Sequence, residues 1–147
     1  MPRDFKTILC PTDFSPESGR AIEYGHKFAQ ASGSLILLAH FIHIPTEPYR
    51  DAGGRVLPFE ELKNLARTRL EEERDAHLHG YARHELLLEI GDPSDQVVAL
   101  ARQRNVDLIV TSTHGHSSLE HVLVGSVAES ILHHAPCPVF VVRRGAE

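Results

Sequence analysis

Residues Asp107–Val127, DLIVTSTHGHSSLEHVLVGSV, decide how the chain is to be read. Leu108–Thr111 is a short, branched apolar run, the pattern of a buried strand. It breaks at Ser112-Thr113-His114-Gly115, and a polar loop leads on to Gly125-Ser126. From there Val127, Ala128, Ile131 and Leu132 recur at helical spacing. Open α/β folds hold phosphate with such an order of parts: a strand, a turn of small residues, then a helix opening on Gly-Ser. Backbone N–H groups at the turn and the helix N-terminus face the anion, and the helix dipole favours its charge. The spacing fits neither GxxxxGK[ST] nor GxGxxG, and no lysine follows either glycine.

The N-terminal half supplies the partner elements. Lys6–Pro11 (KTILCP) reads as a strand stopped by Pro11, with Thr12-Asp13-Phe14 as the turn at its carboxyl end. Ser15 then caps a helix with Pro16 at its first position and Glu17 in its first turn. Ala21, Ile22, Gly25, Phe28 and Ala29 form its buried stripe, and Gly33 ends it. Leu35–Ile42 (LILLAHFI) is apolar throughout, as expected of a strand covered on both faces. His43–Pro58 carries Pro45, Pro48, Gly53, Gly54 and Pro58 without periodicity, a connection long enough to be a lid or partner surface, or a plain surface loop.

Phe59–His79 follows as an amphipathic helix whose stripe is Phe59, Leu62, Leu65, Ala66 and Leu70, with Glu71–Arg74 on the wet face. His84–Ile90 is a third strand. Asp92 caps the next helix with Pro93 at its first position, Val97, Val98, Leu100 and Ala101 face inward, and Asn105 is its left-handed end. After the opening stretch the last helix runs to about His134, Ala135–Pro138 breaks it, and Val139–Val142 is the final strand.

At 147 residues the chain is expected to be one domain, residues 1–147, burying roughly two-thirds of its unfolded surface. A net charge of −5 and the lack of a basic stripe argue against a nucleic-acid partner. No apolar run nears 18 residues, and Met1-Pro2-Arg3-Asp4 leads into no signal core, so the expectation is a cytoplasmic protein without a membrane partner. Cys10 and Cys137 fall at strand edges and read as reduced and structural. The eleven histidines include the pairs His40/His43, His77/His79, His114/His116 and His133/His134. No cysteine or carboxylate cluster completes a tetrahedral set, so they read as solvated or capping groups, with no metal site of their own.

Strands alternating with helices mean a parallel sheet with right-handed crossovers, and ligands bind such sheets at carboxyl ends of strands where the winding reverses. Chemistry favours Pro11-Thr12-Asp13 and Ser112–Gly115. Asp13 could accept hydrogen bonds from a ribose hydroxyl or an adenine amine, or hold Mg2+ bound to phosphate; equally it could form an Asx turn. Gly115 and Gly125 would supply close backbone approach or positive φ, or mark a turn and a helix start with no ligand. Ser126 could donate to phosphate or serve as an N-cap. Thr113-His114-Gly115-His116 superficially resembles the HxGH motif of adenylyl-transferring enzymes, which belongs after the first strand rather than the fourth. No P-loop lysine, arginine finger or water-activating carboxylate besides Asp13 is visible, so at most slow hydrolysis of a bound phosphate group is expected.

Ser112-x-x-Gly115, nine residues and then Gly125-Ser126, together with DLIV, GSVAESILHHAPCPVFVV and ILCPTDFS, resembles the universal stress protein family over almost the whole chain. Its ATP-binding members carry Gly-x-x-Gly-x9-Gly-Ser/Thr; the first glycine is Ser112 here. A position needing positive φ would make serine cost about 1 kcal/mol or more. One needing only a small residue tolerates it, and that reading is adopted. The resemblance implies an α/β fold: a single open five-stranded parallel sheet in the order 3-2-1-4-5 with helices on both faces, Rossmann-like and adenine nucleotide α-hydrolase-like. The reversal then lies between the first and fourth strands.

It also implies a stress-response protein binding ATP or AMP, with or without Mg2+, through Pro11, Thr12, Asp13, Phe41, Thr111, Ser112, His114, Gly115, His116, Ser117, Gly125, Ser126 and Val127. Phe41 would meet adenine mainly through its backbone, or simply pack. A homodimer through Val139–Val142 and an unidentified protein partner complete the expectation. The alternatives are a nucleotide-independent dimeric interaction module and, more weakly, an adenylyl-transfer enzyme.

Overall fold

The computed structural model describes residues 4–44, 47–114 and 124–143. Five strands, β1 (Thr7–Pro11), β2 (Leu35–Ile42), β3 (His84–Ile90), β4 (Leu108–Ser112) and β5 (Val139–Val142), alternate with helices α1 (Pro16–Ser32), α2 (Phe59–His77), α3 (Pro93–Gln103) and α4 (Ser126–His134). The sheet order is β3-β2-β1-β4-β5 and every pairing is parallel. Asp107 ties the distant halves together: its Oδ2 accepts from the N–H groups of Lys6 and Thr7, each at 3.0 Å, where β1 begins beside β4.

The alternation of side chains along each strand divides the core in two. Ile8 and Cys10 of β1 and Ile36 and Leu38 of β2 pack under α1 and α2, against Ala21, Ile22, Ala29 and Leu70. Leu9, Leu37, Ala39 and Phe41 point the other way, against Val97, Leu100 and Ala101 of α3 and Ile131 of α4. Gly25 lets α1 sit close against β1: a Cβ there would lie 2.5 Å from Cys10 Sγ. Burial pushes the Cys10 thiol up to about 12, so it stays protonated and unreactive, while Cys137 is partly exposed.

The local signals are realised with small boundary changes. Ser15 caps α1 by accepting from the Ser18 N–H at 3.2 Å, Gly33 ends the helix at φ 68°, Asp92 caps α3 through the Ser94 N–H at 2.9 Å, and Asn105 follows α3 at φ 51°. Strand β1 begins at Thr7 rather than Lys6, and β4 extends through Ser112. Helix α2 departs from expectation: it ends at His77, Leu70 is its buried residue, and Leu65 stands 53% exposed. Its apolar stripe is wider than the surface it covers. Phe59 and Leu62 instead line a shallow groove with Ile44, Tyr49, Leu57 and Ile90, formed as the connection before α2 folds across the ends of β2 and β3. None of the helices among the described residues is long and apolar enough to cross a membrane.

Candidate functional site

Strands β1 and β4 lie side by side at the sheet centre, and their following helices go to opposite faces, so their carboxyl ends open a crevice. The cleft there is lined by Pro11, Thr12, Asp13 and Ser18 on one side, His40, Phe41 and Pro93 beneath, and Thr111–His114 with Ser126–Ala128 opposite. These walls enclose about 140 Å³. A pocket for a whole ligand usually holds roughly 300–1,000 Å³; residues 115–123, and with them the expected contributions of Gly115, His116 and Ser117, lie outside the described residues.

The turn after β1 is built from hydroxyls and one carboxylate. Asp13 Oδ1 accepts from the Ser15 N–H at 3.0 Å and the Ser18 hydroxyl at 2.8 Å. The Asx-turn reading of Asp13 is therefore realised, and it fixes the carboxylate at the cleft wall. Thr12 Oγ1 accepts from the Phe14 N–H at 3.0 Å while donating to Glu73 Oε2 of α2 at 3.1 Å. These bonds hold Phe14 at φ 69°, a left-handed backbone that costs a non-glycine residue about 1–2 kcal/mol. The Phe14 ring lies between His40, 4.2 Å away by ring centroids, and the Arg69 guanidinium, 4.4 Å from its centroid.

His40 was not among the site residues foreseen. Its Nδ1 lies 2.8 Å from the Thr12 carbonyl, an acceptor, which assigns the ring proton to Nδ1. Burial pulls its pKa below the ordinary histidine value, outweighing the Thr12 carbonyl and Asp13, and Arg69 adds to the fall. The cleft thus has a neutral imidazole beneath it at neutral pH. Ser18, Pro93 and Ala128 were likewise missed, because each reaches the cleft through the fold rather than through a motif, whereas Thr113 lies within the Ser112–Gly115 stretch.

On the β4 side Thr111, Thr113 and His114 are buried polar residues. The Ser112 hydroxyl donates to the His114 carbonyl at 2.7 Å. Ser112 is the last residue of β4 and lies outside the positive-φ set, so serine at the family's glycine position carries no left-handed strain. The positive φ considered for Gly125 is overturned: its φ is −72°, and it caps α4 while its N–H donates to the Thr113 carbonyl at 2.6 Å. Ser126 is the first helical residue, not the cap. The first turn of α4 lines the cleft, and the leading N–H groups of a helix have no partner within it. Hydrogen-bond donors therefore face a fixed carboxylate across a gap at the switch point, an arrangement that can grip a ligand with an anionic end and a polar, hydroxyl-bearing end.

Fold and cleft together define a doubly wound α/β protein with a ligand crevice at the reversal of the sheet. The model of the universal stress protein family matches residues 4–143, and the chain belongs to that family. It is 34% identical over 140 residues to the universal stress protein in the QAH/OAS sulfhydrylase 3′ region of Thermus aquaticus, covering 95% of this chain and 99% of that one. Against universal stress protein MJ0577 of Methanocaldococcus jannaschii the identity is 28% over 156 residues, with 95% and 96% covered. The solved MJ0577 structure superimposes with a TM-score of 0.78 at 25% identity, over 99% of this chain and all of that one. A universal stress protein crystallised in complex with cAMP gives a TM-score of 0.62 at 25% identity, covering 95% and 98%.

Proposed function

We propose that the chain is a single universal stress protein domain that binds ATP or AMP in the cleft between β1 and β4 and acts as a cytoplasmic, nucleotide-dependent switch in the stress response. The observation that carries this reading is the fixed Asp13 carboxylate facing the first turn of α4 across the switch point. Asp13 suits a ribose or adenine donor, and the α4 N-terminus suits phosphate. The cAMP complex of a relative supports an adenine nucleotide as the ligand class. Asp13 is also the carboxylate that Mg2+ carried by ATP would meet. Titration of nucleotide-stripped protein with ATP and magnesium by calorimetry is expected to give micromolar affinity. Absence of binding up to millimolar ATP would discard the switch and leave a nucleotide-independent interaction module.

The proposed switch works as a homodimer. Among the described residues strand β5 pairs with β4 on one side and with no strand on the other, which leaves an edge that can template another strand. Phe140 on that strand is 36% exposed beside Tyr24 and Phe28, whose ring centroids lie 5.4 and 5.0 Å away. A second copy laid along β5 would cover this aromatic cluster. Light scattering at micromolar concentration is expected to give twice the chain mass for the wild type and the chain mass for Phe140→Asp; a monomeric wild type would remove the dimer.

A further inference from the structure

His77 and His79, 54 and 56 residues from Glu23 in sequence, converge on its carboxylate. His77 Nδ1 lies 2.8 Å from Oε2, and His79 Nε2 lies 2.7 Å from Oε1. The His77 ring sits in a notch at Gly19, where a Cβ would come within 2.6 Å of Nε2. That same Nε2 is 3.8 Å from Glu73 Oε1, and the other oxygen of Glu73 takes the Thr12 hydroxyl. A line of polar side chains therefore runs from the α1–α2 crossing to the turn that carries Asp13, hydrogen-bonded except at its His77–Glu73 link, which at 3.8 Å is an ionic contact when His77 is charged.

We propose that the Glu23–His77–His79 cluster is a proton-sensitive control on the cleft, acting through Glu73 as a positioning residue for Thr12. The proposal rests on the nucleotide reading above. With both ring nitrogens of His77 protonated, Nδ1 donates to Glu23 and Nε2 presents positive charge to Glu73. The Glu73 side chain is only 16% exposed, so that charge is its compensation. Glu73 then stays in place, holds the Thr12 hydroxyl, and through it the Phe14 N–H and the strained 12–14 turn. With neutral His77 one ring nitrogen has a lone pair facing a carboxylate, Glu73 loses its counter-charge, and the turn is held less firmly.

Other charged groups around the cluster set the working range. From α1, Glu23 and His26 face it; from α2, Glu73 and His77; beyond α2, His79; and at the cleft end, Asp13 and Arg69. Arg74 is paired with Asp75. The His26 ring is 5.2 Å from that of His79, and its pKa is lowered by burial first and by His79 second, with Glu23 opposing. Charging His26 in acid therefore costs stability. Burial pushes the Glu23 carboxyl up, but its hydrogen bonds to His77 and His79 prevail and hold it below the ordinary carboxylate value. That contribution is present above the carboxylate range and is lost as pH falls through it. Both of these acid losses act on folding rather than on the contact between His77 and Glu73.

The test is ATP affinity by calorimetry at pH 6 and pH 8 for the wild type, His77→Gln and Glu73→Gln, with folding checked by circular dichroism. Any protonation of ATP itself is common to all three proteins, so the difference between proteins isolates the cluster. Wild type is expected to gain about fivefold in affinity at pH 6 relative to either variant, the lower end of couplings between sites. If one variant fails to fold, the other carries the comparison. Equal pH profiles in wild type and a folded variant overturn the control while leaving nucleotide binding intact. No ATP binding by the wild type at either pH overturns the nucleotide reading and the control with it.

Discussion

Asp13→Ala is expected to weaken ATP binding about ten- to a hundredfold, because a hydrogen bond to a charged group contributes about 1.5–3 kcal/mol and each 1.4 kcal/mol is tenfold. Two effects are mixed in that variant. The Asp13 carboxylate also anchors the entry to α1 through Ser15 and Ser18, and loss of such a cap destabilises by about 1 kcal/mol. Asp13→Asn separates them: its amide oxygen can still accept from the Ser15 N–H and Ser18 hydroxyl, but the negative charge is gone. The asparagine variant should unfold in urea close to the wild type and still lose most of the affinity. If both variants bind ATP as the wild type does, Asp13 is only a structural turn and the ligand lies elsewhere.

The second large effect is on stability. Gly25→Val is expected to lower stability by about 3 kcal/mol, the upper end of overpacking costs, because valine would drive its Cβ into Cys10 Sγ and a methyl toward Val110. For a chain of this size that corresponds to a fall of roughly 6–12 °C in the unfolding midpoint. Helix propensity alone predicts the reverse for Gly25→Ala, a gain of about 1 kcal/mol. The two can be weighed in a double-mutant cycle with Cys10→Ala, which removes the sulfur that the new Cβ meets. A favourable coupling of about 1–2 kcal/mol between Gly25→Ala and Cys10→Ala is expected from urea midpoints. Strict additivity would mean that α1 lifts off β1 without cost.

The elements were legible in the sequence wherever their signals are local. Ser15-Pro16, Gly33, Asp92-Pro93 and Asn105 work through the few bonds nearest them, the first and third starting helices and the other two marking their ends. The strand order is another matter. Composition and periodicity predict a parallel sheet but not which strands touch, and the order came from resemblance to a family. Helix α2 shows a second limit: its apolar residues are plain in the sequence, but how far the sheet extends beneath them is not. At the site, Pro11–Asp13 and Thr111–His114 were legible as strand ends with polar turns. His40 and Ser18 were not, since what recruits them is the Thr12 carbonyl and the Asp13 carboxylate. The His77–Glu23–His79 cluster joins residues more than fifty positions apart, a distance no local pattern spans.

The central pairing of β1 with β4 has a consequence for the order of events on the ribosome. Chains emerge from the N-terminus at roughly 5–20 residues per second. Strand β1 can therefore add β2, and β2 can add β3, while the opposite edge of β1 is still bare. That edge must wait about a hundred residues for β4 and for the Asp107 carboxylate that clasps Lys6 and Thr7. Until then the nascent chain carries half a sheet with a vacant side, and the cleft has one wall. The cleft gains its second wall only when β4 docks, so completion of the proposed binding site and the joining of the two halves of the sheet are the same late step.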